Sequence, residues 1–376
     1  MNYEFSEQEQ KLIEAVRQTA GSVMEQAAAG DLADPGQAVK MIRELIGALS
    51  ASGYPVMGLT EDKPLTAGTM AAMEALAAAA PLSFIPLETS LRVVGRLVQS
   101  YGTPAQRQAM LPGLMDGSLI GTAALSEAAL NVVNEPLTTR GVRQGTSVAV
   151  SGRKGFVFGA RTADLLAVVG QLDDGLGVFL VDRSWPGVRL DKADVAAAFA
   201  PLHIGAVELE NCLVPGDRVL GPVDGRRLLE DLRLWENQVL IAAAVGQMGA
   251  ALFSATMYAK TRRSGGRPVI AYQEVGFKLA EMLTLTQTAQ LMAYKAAWMA
   301  ASGDRETMTV TDCAKVFCAE SAEEVSGGAL RILAAEGLAP GNPAAVAGRY
   351  AKFVQVAGTS TEIARVQIGD AMLKNA

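Results

Sequence analysis

Glu236, Arg262, Gln273, Arg331 and Ser126 are the side chains whose type and setting can do chemistry in this chain. Glu236 lies ten residues before Gly246. Tyr258, Arg262, Gly266 and Gln273 follow at fixed distances from that glycine. A guanidinium fork suits a pyrophosphate. A partly desolvated glutamate has the raised pKa that a general base needs. Taken singly, each has a plainer role: Glu236 as an acid stabilised by a helix N-terminus, Arg262 as a helix-end cation, Gln273 as a capping side chain. The other usual chemistries are thin. There is one histidine, His203, and a satisfied structural histidine is its natural role. Cys212, Cys313 and Cys318 are scattered without metal spacing, so reduced cytoplasmic thiols are expected and no metal site.

These residues flank a run that predicts one long helix. Apolar residues fill most positions from Val239 to Met257, with no proline. Gly246 and Gly249 cost helix propensity and predict a close helix contact. Lys260, Arg262 and Arg263 give the charge that a helix C-terminus favours. Ser264-Gly265-Gly266 then breaks the run, Pro268 closes the turn, and a second helix starts near Ala271. Upstream, residues 1–117 predict a helical domain. Ser6 caps a helix over 7–20 with Glu9 three residues on, and further helices are expected at 37–52, 69–80, 91–101 and 104–115. Residues 118–222 change to short β-branched runs at 145–149, 155–159, 165–170, 177–181 and 207–209, a small β-domain. Residues 223–376 are expected to be helical again, with runs at 274–302, 309–333 and 343–356. The class expected is α+β, in three domains.

The net charge of −6 argues against a general nucleic-acid footprint. The polar, acidic N-terminus MNYEFSEQEQKL does not read as a signal peptide, and no uninterrupted apolar run of membrane-spanning length is seen. A cytoplasmic protein is expected. The large apolar faces at 239–257 and 280–299 predict an oligomer.

The register of Gly246, Tyr258, Arg262, Gly266 and Gln273 resembles the acyl-CoA dehydrogenase family, flavoproteins that desaturate acyl-CoA thioesters. Only the phenylalanine of that pattern is missing, with Gly265 in its place. The resemblance covers the whole chain. It implies a helical N-terminal domain, a small β-barrel middle domain and a C-terminal four-helix bundle. It also implies FAD as cofactor, with Arg262 and Gln273 reaching the FAD of a neighbouring subunit. The segment GLTEDKPLTAG (58–68) lacks the paired glycines of the family loop that precedes an acyl-pocket helix.

The flavin-ring signature is altered. Ser126-Glu127 opens it, and Thr139, Gly145, Gly152 and Lys154 keep the family spacing. AALNVV (128–133), with Val132 among them, replaces its Pro, Gly and Ser-Asp part. Phe156 stands for a Trp and Phe158 for the Thr that hydrogen-bonds the ring. Lys315 matches a common family position, where an exposed helix lysine is the simpler expectation. In the later glycine-rich signature Arg331 replaces Gln, and Ala334 and Ala335 replace glycines. Arg331 is open between a phosphate donor and a surface cation. The family's C-terminal catalytic Glu falls on Gly358, or on Ala357 with a one-residue shift, and neither is a base. One branch of the family carries that Glu ten residues before the first glycine of the long helix, the place of Glu236.

The resemblance implies that Glu236 takes the α-proton while the β-hydride goes to FAD. An electron-transfer flavoprotein then takes the electrons. Three readings stay open: an active homo-oligomer with Glu236 as base, the degenerate half of a hetero-oligomer of the steroid side-chain type, or a non-redox acyl-CoA-binding or structural subunit.

Overall fold

Ser6 starts the first helix by the capping box its sequence predicts. Its hydroxyl accepts from the Glu9 N–H at 3.3 Å, and the Glu9 carboxylate accepts from the Ser6 N–H at 3.0 Å. The computed structural model describes residues 5–26, 32–60, 64–128, 136–192, 197–339 and 341–375. Helix α1 is Glu7–Gln26. Helix α2 (Pro35–Leu49) is capped by Asp34, and α3 (Ala67–Ala79) by a reciprocal Thr66–Thr69 pair. The next helical run is longer than expected. It passes from α4 (Pro81–Glu88) through a π-helical stretch, Thr89–Gly95, into α5 (Arg96–Tyr101). Pro86 deletes one backbone donor inside α4, which reads in sequence as a break; the wider π turn follows it directly. Helix α6 is Pro104–Asp116, with Thr103 and Gln106 as its capping box.

The strands come next: β1 (Gly121–Ala124), β2 (Arg140–Gln144), β3 (Ser147–Val157), β4 (Leu165–Leu172), β5 (Gly175–Asp182), β6 (Val188–Lys192), β7 (Gly205–Pro215) and β8 (Val219–Val223). They form one sheet in the order β6-β7-β3-β2-β4-β5-β8, and β1 pairs in parallel with β4. The two short runs expected at 145–149 and 155–159 are joined in β3, which is bulged against β7 beyond Val150 and again beyond Lys154. One sheet face packs on α5, α6 and the start of the long helix through Val98, Met110, Leu114, Val169, Leu180 and Leu232.

After the strands come α7 (Gly225–Thr261), a hairpin of β9 (Arg263–Ser264) and β10 (Arg267–Pro268), α8 (Gln273–Ser302), α9 (Thr307–Leu333), α10 (Pro343–Val356) and α11 (Thr361–Asn375). Helix α9 is the hub, packing on α8, α10 and α11. Its buried side chains are mostly small, among them Ala314, Ala319, Ala322 and Ala329, which lets the helices approach closely. By length and composition α7 is apolar enough to cross a membrane, contrary to the expectation from sequence. Two thirds of its apolar window, 67%, is buried within the protein, as in a core helix.

The chain groups into two compact units. One comprises Met1–Gly21, Leu65–Pro81 and Asn237–Ala376; the other comprises Ser22–Pro64 and Leu82–Glu236.

Candidate functional site

In the unit that holds the sheet, the motif residues kept at family spacing are scaffold. Ser126 sits half-buried in the loop after β1, and its carbonyl accepts from Gly155 N–H at 2.9 Å. The neighbouring Glu127 carboxylate is buried. It takes the Lys154 ammonium at 2.7 Å and the N–H groups of Thr138 and Thr139 at 2.6 and 3.0 Å. Lys154 is fully buried and also donates to the Leu125 carbonyl. Burial works against the charge on Glu127, yet the Lys154, Thr138 and Thr139 bonds outweigh it and hold the carboxyl down at about 2. Gly152, at φ 154°, lies so close to Thr139 that a Cβ would come within 2.4 Å of its hydroxyl. The family spacing of Thr139, Gly152 and Lys154 is therefore the spacing of one buried clasp between β2, β3 and the β1 exit.

The positions expected to face a flavin differ in kind. Phe156 is 56% exposed and held at φ 51°, left-handed backbone that a phenylalanine rarely adopts. Phe158 is half-buried, and its carbonyl accepts from the Thr122 hydroxyl. Neither side chain carries a hydrogen-bonding group. Val132 lies outside the described residues. His203 is structural, its Nε2 lying 2.9 Å from the Leu32 carbonyl.

Glu236 is half-buried, eleven residues inside α7. That is about three turns beyond the helix start, so the N-terminal dipole is not what places an acid there. The residues before it are anchored to α5. The Arg96 guanidinium stacks 4.6 Å over the Trp235 ring, and Tyr101 donates to Asp231 at 2.7 Å.

Arg262, Gln273 and Arg331 fall in the other unit. Arg262 follows α7 directly, and its N–H donates to the Tyr258 carbonyl at 2.8 Å. The hairpin after it turns on Gly265 and Gly266, at φ 55° and 81°, the sign that a two-residue turn requires. Tyr272 braces it, donating to the Ser264 carbonyl at 3.0 Å beneath the Arg267 guanidinium. The hairpin thus sets Arg262 and Gln273, the first residue of α8, at its two ends, both exposed. The Arg262 guanidinium is 3.9 Å from Glu336, with both side chains 60% exposed. Glu336 lies in the turn after α9, and exposed Arg331 lies in the last turn of α9 itself. In that same turn Ala334 stands at φ 51°, ψ −133°, a conformation that suits the glycine it replaces.

Lys315 corrects the expectation of an exposed helix lysine. It is fully buried, and its ammonium donates to the carbonyls of Val354, Ala357 and Thr359 at 2.6, 2.8 and 3.1 Å. It caps α10 and holds the segment that carries Ala357 and Gly358. Buried Asn237 accepts from the Thr359 N–H at 3.3 Å and points its amide at Asp312, 3.4 Å away. No motif in the sequence points to Asn237, and Glu127 shows there only as the second residue of the in-register Ser126-Glu127 pair, without its buried role.

The pattern of the acyl-CoA dehydrogenase C-terminal domain matches residues 225–373. Mitochondrial isovaleryl-CoA dehydrogenase of Oryza sativa subsp. japonica is 30% identical over 297 residues, 75% of this chain and 70% of that one. A probable acyl-CoA dehydrogenase of Mycobacterium leprae is 24% identical over 370 residues, 96% of this chain and 95% of its own. Among solved structures, butyryl-CoA dehydrogenase of Megasphaera elsdenii superposes with a TM-score of 0.86 at 22% identity, over 99% of this chain and 100% of that one. The α+β architecture is thus that of its neighbours, and this chain belongs to the acyl-CoA dehydrogenase family.

Proposed function

We propose that this chain is the degenerate half of a hetero-oligomeric acyl-CoA dehydrogenase, lending Arg262 and Gln273 to FAD held mainly by a partner chain. One observation carries the reading. The motif residues it keeps, Glu127, Thr139, Gly152 and Lys154, form a buried clasp, whereas the ring-facing positions 156 and 158 are phenylalanines. A flavin ring is rimmed with polar atoms, and an apolar wall leaves them under-satisfied. Phe156 and Phe158 do not fit the ring. The exposed arm of Arg262, with exposed Gln273 at the other end of the hairpin segment, does fit a pyrophosphate. In this reading an acyl-CoA thioester is the substrate of the assembled enzyme and an electron-transfer flavoprotein takes its electrons. The protein is cytoplasmic, and the chain divides into three domains near 117 and 222. The alternative, a non-redox acyl-CoA-binding or structural subunit of the same fold, predicts no flavin in any assembly.

A second reading rests on Glu236. It is half-buried and well inside α7, so a role other than helix capping is called for, and general base in a self-sufficient enzyme is the one its register supports.

The test is the visible absorption of the purified chain alone and co-expressed with a second family member. The degenerate-half reading expects no flavin band alone and a stoichiometric one in the hetero-oligomer. One flavin per chain in the protein expressed alone overturns it.

A further inference from the structure

Two glycines interrupt the apolar middle of α7, and only one has a packing reason. A Cβ on Gly246 would come within 2.5 Å of the Glu74 carbonyl and 2.7 Å of the Ala77 methyl, so its absence lets α7 press on α3. A Cβ on Gly249 meets nothing within 4 Å. A mid-helix glycine costs helix stability, and no contact here offsets the cost. The empty space beside Gly249 is the floor of a cavity of about 940 Å³ lined by α1, α3, α7 and α8. Its walls are apolar, with Ile13, Ala75, Ala250 and Phe253 among them. Two polar spots interrupt them: on α1, Gln10 with the Arg17–Glu14 ion pair at 2.7 Å, and on α3, a carboxyl. The Glu74 carboxyl is held between the Tyr294 hydroxyl at 2.5 Å and the Gln290 amide at 2.6 Å, and the Phe5 ring sets its edge against Tyr294 at 5.3 Å. Burial raises the Glu74 pKa, against the pull of those two bonds and of the Arg17 charge. An apolar concavity of this size with a few convergent polar groups is the form that small-molecule sites take.

We propose that this cavity is a binding site for a neutral aliphatic molecule with one hydrogen-bonding end, its apolar body lying over Gly249 and its polar end at the Glu74–Tyr294 pair. A carboxylate end is disfavoured, because it would meet the Glu74 oxygens and because Arg17, the cation of the lining, is already paired with Glu14 at 2.7 Å. The space left by Gly249 is what admits the ligand body.

The test uses the full chain with Nile red as the neutral probe and 1-dodecanol as competitor. Wild type is expected to bind Nile red saturably at one site per chain, dodecanol to displace it, and dodecanol alone to raise Tm by mass action. Gly249→Leu starts from a Cβ that meets nothing within 4 Å and extends into the floor, so it should weaken Nile red binding at least tenfold, with the circular dichroism spectrum retained. Gly249→Ala serves if the leucine variant fails to fold: it should show a smaller dodecanol-induced rise in Tm than wild type. The proposal is overturned by non-saturable dye binding or by either variant responding as wild type. It is also overturned if Gly249→Leu alters the sedimenting species, which would make the cavity a contact between chains.

Discussion

Ala334 and Glu127 show how differently single residues express the family pattern. Ala334 holds a left-handed φ of 51° where the pattern has glycine, and an L side chain in that region stores roughly 1–3 kcal/mol. Ala334→Gly should therefore stabilise the protein by about 1 kcal/mol in urea denaturation, although glycine usually destabilises. A loss of stability would show that the turn is not strained. Glu127 makes a prediction about acid. Its folded pKa of about 2 lies below the ordinary 4.5. The contribution is therefore complete above about pH 4.5 and is lost as pH falls toward 2, on the order of 3 kcal/mol in all. Thermal melts of wild type should drop steeply across that window. Glu127→Gln should be less stable at pH 7, where it leaves Lys154 buried without its counter-charge, and flatter below pH 4.5. Equal acid slopes for the two proteins would refute the clasp as the source.

At the level of elements, the two glycines of α7 should respond oppositely to the same change. Gly246→Ala forces a methyl against the α3 backbone and should cost about 1–3 kcal/mol. Gly249→Ala meets open space and should gain up to about 1 kcal/mol from helix propensity alone. Chemical denaturation of both variants checks the contrast, and equal signs would sink it. Sequence pattern predicts a close contact for both glycines, because periodicity marks a face of a helix and not what stands opposite. The same limit explains other outcomes. Ser6 and Glu9 revealed the start of α1 because a capping box is local chemistry. The bounds of α10, Pro343–Val356, are those its own pattern predicts. The first half of the 81–101 run was hidden by Pro86, and β1, β2, β6, β8 and α11 by shortness or weak periodicity. The burial of Lys315 is invisible in sequence because a lysine on a polar-looking helix gives no local sign that three carbonyls of α10 and its following loop surround it. Of the candidate site, the register of Arg262 and Gln273 was legible. The clasp around Glu127 was not, since it joins residues eleven to twenty-nine positions apart.

For the whole molecule, the proposals divide on which chain supplies which group. A chain that only lends a cation to its partner's FAD is sensitive at Arg262 and insensitive at Glu236. A chain that does its own chemistry is sensitive at Glu236. The expected pair of results follows from what each change removes. Arg262→Ala deletes a charge-assisted donor from an exposed arm that ends a helix, so the fold should stand, and flavin retention in the assembled oligomer should weaken by roughly 1.5–3 kcal/mol. Glu236→Gln keeps the shape of a half-buried side chain while removing its ability to accept a proton. In the hetero-oligomer it should leave acyl-CoA-driven flavin reduction within about twofold of wild type, because the base then sits in the partner chain. Stopped-flow reduction and flavin-to-protein absorbance ratios read the two effects separately. A loss of several orders of magnitude in Glu236→Gln, with flavin content unchanged, would place the base in this chain and remove the degenerate-half reading. Normal flavin content in Arg262→Ala would remove the lending role instead.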